Sequence, residues 1–288
     1  MTFAQTVALG AIAGSTIFLG LPVGRIRGLS SRARVALSML SAGILAFIFM
    51  DVGAEGLGIV ETHLDAYKDH SATLWPVIGL FALLSAGFLI GVGGIHTFQR
   101  LLGRTTPTGL PPIAGGQAAT AVPPAELPAY VRAGEDLERR ALRTGMTIAA
   151  AIGLHNFAEG LAIGVSAQAG EVGLATVLII GFALHNATEG FGIVGPLGGL
   201  RPSWRWLATA GFVGGAPTFV GSMLGYQVSS DALELLFFAM AGGAILYVIG
   251  EIWAGVRRHG HAELGFYMLG VGFLLGIATD LVVAYGGG

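Results

Sequence analysis

Eight apolar stretches, each about 20 residues long, alternate with polar connections along the chain. A helix rises about 1.5 Å per residue, so a stretch of this length crosses a hydrocarbon core about 30 Å thick. The pattern therefore predicts an all-α integral membrane protein with eight transmembrane helices. The predicted limits are 4–24, 34–58, 73–97, 144–168, 172–197, 204–227, 232–256 and 264–285. Within the sixth, Gly214-Gly215-Ala216-Pro217 predicts a kinked or broken helix.

The basic residues predict the orientation of these helices. Every arginine lies in, or at the edge of, the connections that follow helices one, three, five and seven, and Lys68 alone lies in another connection. Because positively charged connections stay in the cytoplasm, we predict that both termini are extracytoplasmic. The chain is then a multi-pass protein of the inner (cytoplasmic) membrane.

One connection is much longer than the others. Residues 99–140 form a predicted flexible cytoplasmic loop, since 105–128 are rich in Pro, Gly and Ala. The loop separates the first three helices from the last five. Helices four and five carry one motif in opposite orientations, so we predict a 3+2+3 bundle with an inverted repeat about a site at the membrane midplane.

Composition supports a membrane protein and excludes several functions. Of 288 residues, 53% are hydrophobic and 11% are charged, with a mean hydropathy of +0.74, whereas about 25% of an average soluble domain is charged. The net charge of -2 leaves no basic surface for nucleic acid. Since cysteine is absent, any metal is held by His, Asp, Glu, Asn or backbone oxygen. The expected surroundings are a lipid bilayer, and no cofactor is predicted.

The pattern His-Asn-x-x-Glu-Gly occurs twice inside apolar sequence, at 155–160 and 185–190. Residues four apart lie on one face of a helix, so each copy directs an imidazole and a carboxylate the same way. Both copies fall near the middle of antiparallel predicted helices. Since a carboxylate at the centre of a membrane helix costs roughly 2.5–3.5 kcal/mol, we predict one shared metal site. Its predicted residues are His155, Glu159, His185 and Glu189, with Asn156 and Asn186 beside them.

The predicted ligands suit a divalent transition metal. Two imidazoles and two carboxylates fit Zn²⁺ at about 2.0–2.2 Å, and the ligand type also admits Fe²⁺, Mn²⁺, Co²⁺ and Cd²⁺. The structural alternative is two separate polar spots, each satisfied by a helix–helix hydrogen bond. Duplication of the motif at matched depth favours the metal site.

Further polar residues lie where a metal would approach this site. Asp51 and Asp280, near the outer ends of helices two and eight, form either an acidic vestibule that concentrates cations or a pair of acids solvated at the membrane interface. Ser166 lies about 20° from His155 around helix four and is a candidate for the outward path. Hydrogen bonding to its own backbone explains that serine equally well.

On the opposite side, Glu251 near the inner end of helix seven is a candidate for passing metal inward or for pairing with Arg257. Exposed histidines are common in proteins, and two pairs here are candidates for weak metal binding or plain surface residues. These pairs are His63 with His70 and His259 with His261.

The paired motifs resemble those of the ZIP (Zrt-, Irt-like) family of divalent-metal transporters. The resemblance extends to the eight helices, the long connection between helices three and four, and the Gly242-Gly243-Ala244-Ile245-Leu246-Tyr247-Val248 stretch before Glu251. It implies metal import into the cytoplasm through a midplane site, an elevator-like movement of one helix bundle against another, and a homodimer.

Two departures from the family pattern bear on the site. The family's usual motif proline is replaced by Ala158 and Thr188, and proline would kink the helix and release a backbone carbonyl. In bacterial relatives a sixth-helix glutamate helps form a second metal position with the motif asparagines. Between Leu207 and Tyr226 this chain has no acid or histidine, so we expect one metal position. The polar side chains of that stretch are Thr209, Thr218, Ser222 and Tyr226.

The predicted function is secondary transport of a divalent metal, most readily zinc, and the chain is not expected to be an enzyme. A membrane metalloenzyme is the less favoured reading because the His-Glu-x-x-His pattern of zinc hydrolases does not occur. The remaining alternative is a membrane protein that senses metal, or is stapled by it, without transporting it.

Overall fold

The computed structural model describes residues 1–26, 30–103, 127–170, 183, 186–197, 200–228, 230–256 and 261–285. Most of these residues are helical, with no strand among them. The long helices are α1 (Phe3–Ser15), α2 (Ser31–Lys68), α3 (Trp75–Gly103), α4 (Leu127–Gln168), α6 (Trp204–Gln227), α7 (Asp231–Val256) and α8 (Ala262–Tyr285). A helical segment at 186–194 is labelled α5. Short turns at Ile17–Gly20 and Leu21–Arg25 extend α1, and a 3₁₀ turn at Gly195–Leu197 follows α5.

The predicted all-α class is confirmed. Within the described ranges, 7 helical spans are long and apolar enough to cross a membrane. Most of the predicted fifth helix, 172–197, falls on residues outside the described part of the chain, and 186–194 is its described portion. The orientation of the helices, their inverted repeat and the inner-membrane location stay predictions.

Hydroxyl side chains explain where three of the helices begin. Thr2 and Gln5 form a reciprocal capping box at the start of α1. Ser30 accepts from the Ala33 amide at the start of α2, and Ser203 accepts from the Trp206 amide at the start of α6. Each cap satisfies one of the amides that a helix leaves unpaired at its N-terminus.

Two helices are much longer than the apolar stretches that predicted them. Helix α2 has 38 residues and α4 has 42, or about 57 and 63 Å at the usual helical rise. Of the predicted flexible loop 99–140, residues 99–103 end α3 and 127–140 begin α4, while 104–126 lie outside the described residues. Charge pairs support these polar helical ends, with Arg139 3.6 Å from Glu135 and Lys68 2.8 Å from Asp65. A search for apolar spans cannot detect such ends.

Helix α6 continues without a break through Pro217, where the sequence predicted a kinked or broken helix. Proline removes one backbone donor from the helix. The carbonyl that loses its donor belongs to Val213, four residues earlier, and it packs against Gly153 of α4. The Asn156 amide of α4 donates to the next carbonyl, that of Gly214, over 2.9 Å. Membrane helices tolerate proline where a neighbouring helix packs closely against the freed backbone group.

Close helix packing divides the described helices into two bundles. In the first, α4 packs along α6, and α1 packs on α6 and α5. Glycines set these distances: Gly160 lies against Gly221, and Gly164 lies against the backbone at Gly225. Small residues allow membrane helices to approach this closely.

The second bundle contains α2, α3, α7 and α8. Gly43 of α2 packs on Gly272 of α8, and Gly243 of α7 packs on the backbone of Phe88 in α3. Contacts between the two bundles include the Phe157 and Phe237 rings, with centroids 4.3 Å apart, and the Ser38 hydroxyl, 3.4 Å from the Gly195 carbonyl. The motif helices α4 and α5 both belong to the first bundle.

Candidate metal centre

Both copies of the motif contribute to one buried polar cluster. Nε2 of His155 lies 3.1 Å from a Glu159 oxygen, one helical turn along α4. The same nitrogen lies 3.7 Å from a carboxylate oxygen of Glu189 on α5. The three side chains are 2%, 4% and 0% exposed, respectively. The structure therefore brings together three of the four predicted ligands, while His185 lies outside the described residues.

The two motif asparagines are anchored in the same way on neighbouring helices. Nδ2 of Asn156 donates to the Gly214 carbonyl on α6 over 2.9 Å, and Nδ2 of Asn186 donates to the Ala13 carbonyl on α1 over 3.0 Å. Both side chains are fully buried. Since a carbonyl can only accept, each contact fixes the amide nitrogen on the anchoring helix and leaves Oδ1 for another partner.

Several buried oxygens lack a hydrogen bond within the described residues. They are Oδ1 of Asn156 and of Asn186, Oε2 of Glu159, both carboxylate oxygens of Glu189, and Oγ1 of Thr218. The Asn156 amide does lie beside Glu189, without a well-formed hydrogen bond to it. Each unsatisfied buried group costs about 1–3 kcal/mol, and more when charged. A cation is the partner that would satisfy such a set of acceptors, because every member has lone pairs to donate.

The side chains of His155, Glu159 and Glu189 form ion pairs with one another and are not arranged as ligands around a metal ion. No three His, Asp or Glu residues in the described ranges already have the arrangement of a bound metal ion. Instead, His155 lies between two carboxylates at ion-pair distances. A metal would take the place of these pairings, with the imidazole and the carboxylates turning toward it. The donor set of imidazole and carboxylate suits zinc and its neighbours in the first transition row.

The structure places predicted Asp51 next to this cluster. Asp51 is half-buried on α2 and interacts electrostatically with His155 and Glu159. It also interacts with Asp280 of α8 and Glu55 of α2, both exposed. Asp51 thus lies within electrostatic reach of both the buried site and two exposed carboxylates. Asp51 belongs to the second bundle and the motif residues to the first.

The other predicted path residues lie apart from the described ligands. Ser166 is half-buried near the end of α4. Glu251 is exposed on α7 and interacts electrostatically with Tyr247, whose hydroxyl lies 3.2 Å from Nδ1 of His96. Its predicted partner Arg257 lies outside the described residues.

The surface histidines show no common site among the described residues. His63 lies 3.6 Å from Asp231 at the start of α7, and His70 has a left-handed backbone in the turn after α2. His261 is exposed before α8, and its predicted companion His259 lies outside the described residues.

Sequence reasoning assigned no role to Thr218 or to helix α1. Thr218 is fully buried among the glycines of α6, and its only sequence signal was a hydroxyl in an otherwise apolar stretch. The Ala13 carbonyl anchors a motif asparagine, and no side-chain pattern could reveal a backbone group. Both lie against the motif helices through glycine contacts.

Comparison with known proteins supports the class of protein that this site defines. Residues 126–250 match the family described as ZIP zinc transporter. This region includes both motifs, α6 and most of α7. The match confirms the resemblance to ZIP-family metal transporters that the paired motifs indicated.

Curated relatives agree over the same part of the chain. The zinc transporter ZupT of Clostridium perfringens (strain 13 / Type A) is 27% identical over 151 residues, which are 51% of this chain and 52% of ZupT. The zinc transporter GufA of Myxococcus xanthus is 34% identical over 139 residues, which are 46% of this chain and 53% of GufA. Zinc transporter ZIP10 of Mus musculus is 29% identical over 143 residues, or 46% of this chain and 17% of ZIP10. The matched region thus spans about half the length of the two bacterial relatives and less of the mouse protein.

Proposed function

We propose that this protein is a secondary transporter that carries a divalent transition metal, most readily zinc, into the cytoplasm. The observation that carries the proposal is the buried cluster of His155, Glu159 and Glu189, whose carboxylate oxygens lack sufficient hydrogen-bond donors. Ionisable groups inside a membrane protein mark ion pathways far more often than they serve packing. Similarity to proteins named as zinc transporters gives the same class.

The proposed site uses His155 and Glu159 from α4 with Glu189 from α5, and His185 as the fourth ligand predicted by the repeated motif. Two carboxylates would neutralise a divalent ion, so the loaded site would carry no net charge through the low-dielectric interior. Asn156 and Asn186 would hold the two helices in place from α6 and α1. The metal is the cargo of this site rather than a resident cofactor.

The packing supports an elevator-like movement of one bundle against the other. The described ligands and the carbonyls that anchor the asparagines all belong to the bundle of α1, α4, α5 and α6. That bundle would therefore carry the metal as one body, while α2, α3, α7 and α8 would form the frame. In this scheme Asp51 and Asp280 attract the ion from outside, Ser166 lies along the outward path, and Glu251 receives it inside.

The predicted surroundings complete the proposal. The protein would lie in the inner membrane with both termini outside, and a homodimer would form through the frame helices. ZIP transporters move metal and perform no covalent chemistry, so we propose no enzymatic activity. A protein that is only stapled by metal, or only senses it, would bind the ion without passing it.

Metal flux into proteoliposomes tests the function directly. The purified full chain would be reconstituted and challenged with zinc, iron, manganese and cadmium, each with a dye or isotope readout. We expect saturable flux of at least one metal, which His155→Ala abolishes. His96→Ala provides the matched control, because His96 is exposed on the frame helix α3. Metal binding without flux in an inserted, folded protein would replace the transporter with the sensor or staple.

A further inference from the structure

A second set of buried oxygens lies beside the carboxylates, and all of its side-chain members are electrically neutral. These are Oδ1 of Asn156, Oδ1 of Asn186 and Oγ1 of Thr218, each fully buried and without a hydrogen bond among the described residues. Below, they are called the neutral oxygen cluster. The metal site proposed above uses none of them as an essential ligand.

The Thr218 hydroxyl is unusual among the helical hydroxyls of this protein. Thr209 donates to the carbonyl of Arg205 four residues before it, and several other serines and threonines do the same. For Thr218 the equivalent carbonyl belongs to Gly214, and this carbonyl already accepts from Asn156. A carbonyl oxygen has two lone pairs, and the helix itself uses one. The asparagine thus occupies the place that would normally satisfy the hydroxyl.

Helix contacts bring the three members of the cluster together. Gly214, which holds Asn156, lies one turn before Thr218 on α6. Ala13, which holds Asn186, adjoins Gly14, and Gly14 packs against the Thr218 side chain. The cluster therefore lies where α1, α4, α5 and α6 meet.

Charge decides which occupant suits this cluster. Neutral amide and hydroxyl oxygens cannot compensate the charge of a divalent ion in a buried site. Neutral oxygens from carbonyls and side chains do hold alkali cations in channels and transporters. Glu189 adjoins Asn156, so a cation in the cluster would also lie near a buried carboxylate.

We propose that the neutral oxygen cluster binds a monovalent alkali cation, Na⁺ or K⁺, and that this cation is bound when the divalent metal is absent. The inference rests on the proposed function, since it concerns the metal-free state of the same centre. A monovalent and a divalent cation in adjoining positions repel one another. Binding of the alkali cation and of the transported metal is therefore antagonistic, and the coupling is reciprocal.

The first test measures the alkali cation without any divalent metal. Chelator-treated full chain in detergent micelles is heated in NaCl, KCl or choline chloride at one ionic strength. We expect NaCl or KCl to raise the unfolding midpoint by about 2–4 °C over choline. Thr218→Val, which keeps the shape and removes the hydroxyl, should lose this difference, whereas Thr218→Ser should keep it. Thr209→Val is the matched control on the same helix, because its hydroxyl is exposed and bonded to its own backbone.

The second test measures zinc affinity by titration in the same three salts. We expect the alkali cation to weaken zinc binding about tenfold in the wild type, within the range usual for coupled sites, and not in Thr218→Val. Equal midpoints in all three salts, or a salt effect that survives in Thr218→Val, would overturn the proposal and leave the cluster to a bound water. If the wild type binds no zinc, the proposed transport function fails. The unfolding midpoints in the three salts then still show whether the alkali cation binds.

Discussion

The close contact between α4 and α6 makes Gly164 a sensitive test of how the first bundle holds together. A side-chain carbon at Gly164 would meet the backbone carbonyl of Ser222 at 2.6 Å and the Gly225 carbonyl carbon at 2.7 Å, and the Tyr226 amide nitrogen closer still. All of these atoms are backbone, so no rotamer change relieves the clash. Gly164→Ala should therefore push the two helices apart.

The magnitude follows from two opposing effects. Overpacking of a close contact costs about 1–3 kcal/mol, and contacts this short with backbone belong at the upper end. Replacing glycine by alanine in a helix returns about 1 kcal/mol. The net expectation is a loss of about 2 kcal/mol, or roughly a thirtyfold fall in the ratio of folded to unfolded protein.

Gly94→Ala supplies the matched control. Gly94 lies on α3, and a side-chain carbon there would meet nothing within 4 Å. Only the propensity gain of about 1 kcal/mol then applies to Gly94→Ala. Because Gly164→Ala should lose about 2 kcal/mol, the stabilities of the two variants should differ by about 3 kcal/mol. Reversible unfolding in mixed micelles, followed by circular dichroism, measures both. If Gly164→Ala is as stable as Gly94→Ala, the helices do not pack at glycine distance, and the described bundle is wrong there.

Three further predictions concern the metal and the ends of the bundle. Glu159→Gln and Glu189→Gln should each lower zinc affinity by about 100-fold or more, since each removes a charged ligand. Titration of the purified variants with zinc measures this, and unchanged affinity in both variants would show that the carboxylates are not ligands. Zinc affinity should fall steadily as the pH is lowered, because imidazole and carboxylate bind metal only after losing a proton. Zinc titration across a pH series measures this, and an affinity that does not change with pH would argue against these ligands. Arg25→Leu should destabilise the fold by about 1–2 kcal/mol, because the guanidinium lies 4.6 Å from the Trp204 ring centroid and donates to the Pro202 carbonyl over 2.6 Å. Arg32→Leu, at the exposed start of α2, should cost less in the same unfolding assay.

The main elements of the fold and site could be predicted because they depend on strong local signals. Apolar stretches predict helices from their length alone, and an acid placed in such a stretch signals function because it is costly there. His155, Glu159 and Glu189 were found in this way, and they do lie together.

Other features depend on information that no local pattern contains. The polar ends of α2 and α4 carry charge pairs rather than apolar periodicity. The division into two bundles depends on which glycines face each other, and a sequence rich in glycine gives many candidates. The role proposed for Thr218 follows from a competition for one backbone carbonyl, which appears only when α4 is placed against α6.

If one bundle moves against the other as proposed, a crosslink at the contact between Phe157 and Phe237 would stop transport. These rings join α4 of the first bundle to α7 of the second. Because the sequence contains no cysteine, Phe157→Cys with Phe237→Cys creates a single pair of thiols. A short reducible crosslinker should abolish zinc flux, and reduction should restore it, so each sample serves as its own reference.

The matched pair lies inside the first bundle. Phe3 and Tyr226 join α1 to α6 with ring centroids 5.5 Å apart, and both helices would move together in an elevator. Crosslinking Phe3→Cys to Tyr226→Cys should therefore leave flux unchanged. Equal inhibition by both crosslinks would show that α1 and α6 move relative to each other, and equal flux through both would show that the bundles do not slide at the α4–α7 contact. A metal carried on α4 and α5 past a fixed frame requires that the crosslink between positions 157 and 237 stops flux. It also requires that the crosslink between positions 3 and 226 leaves flux unchanged.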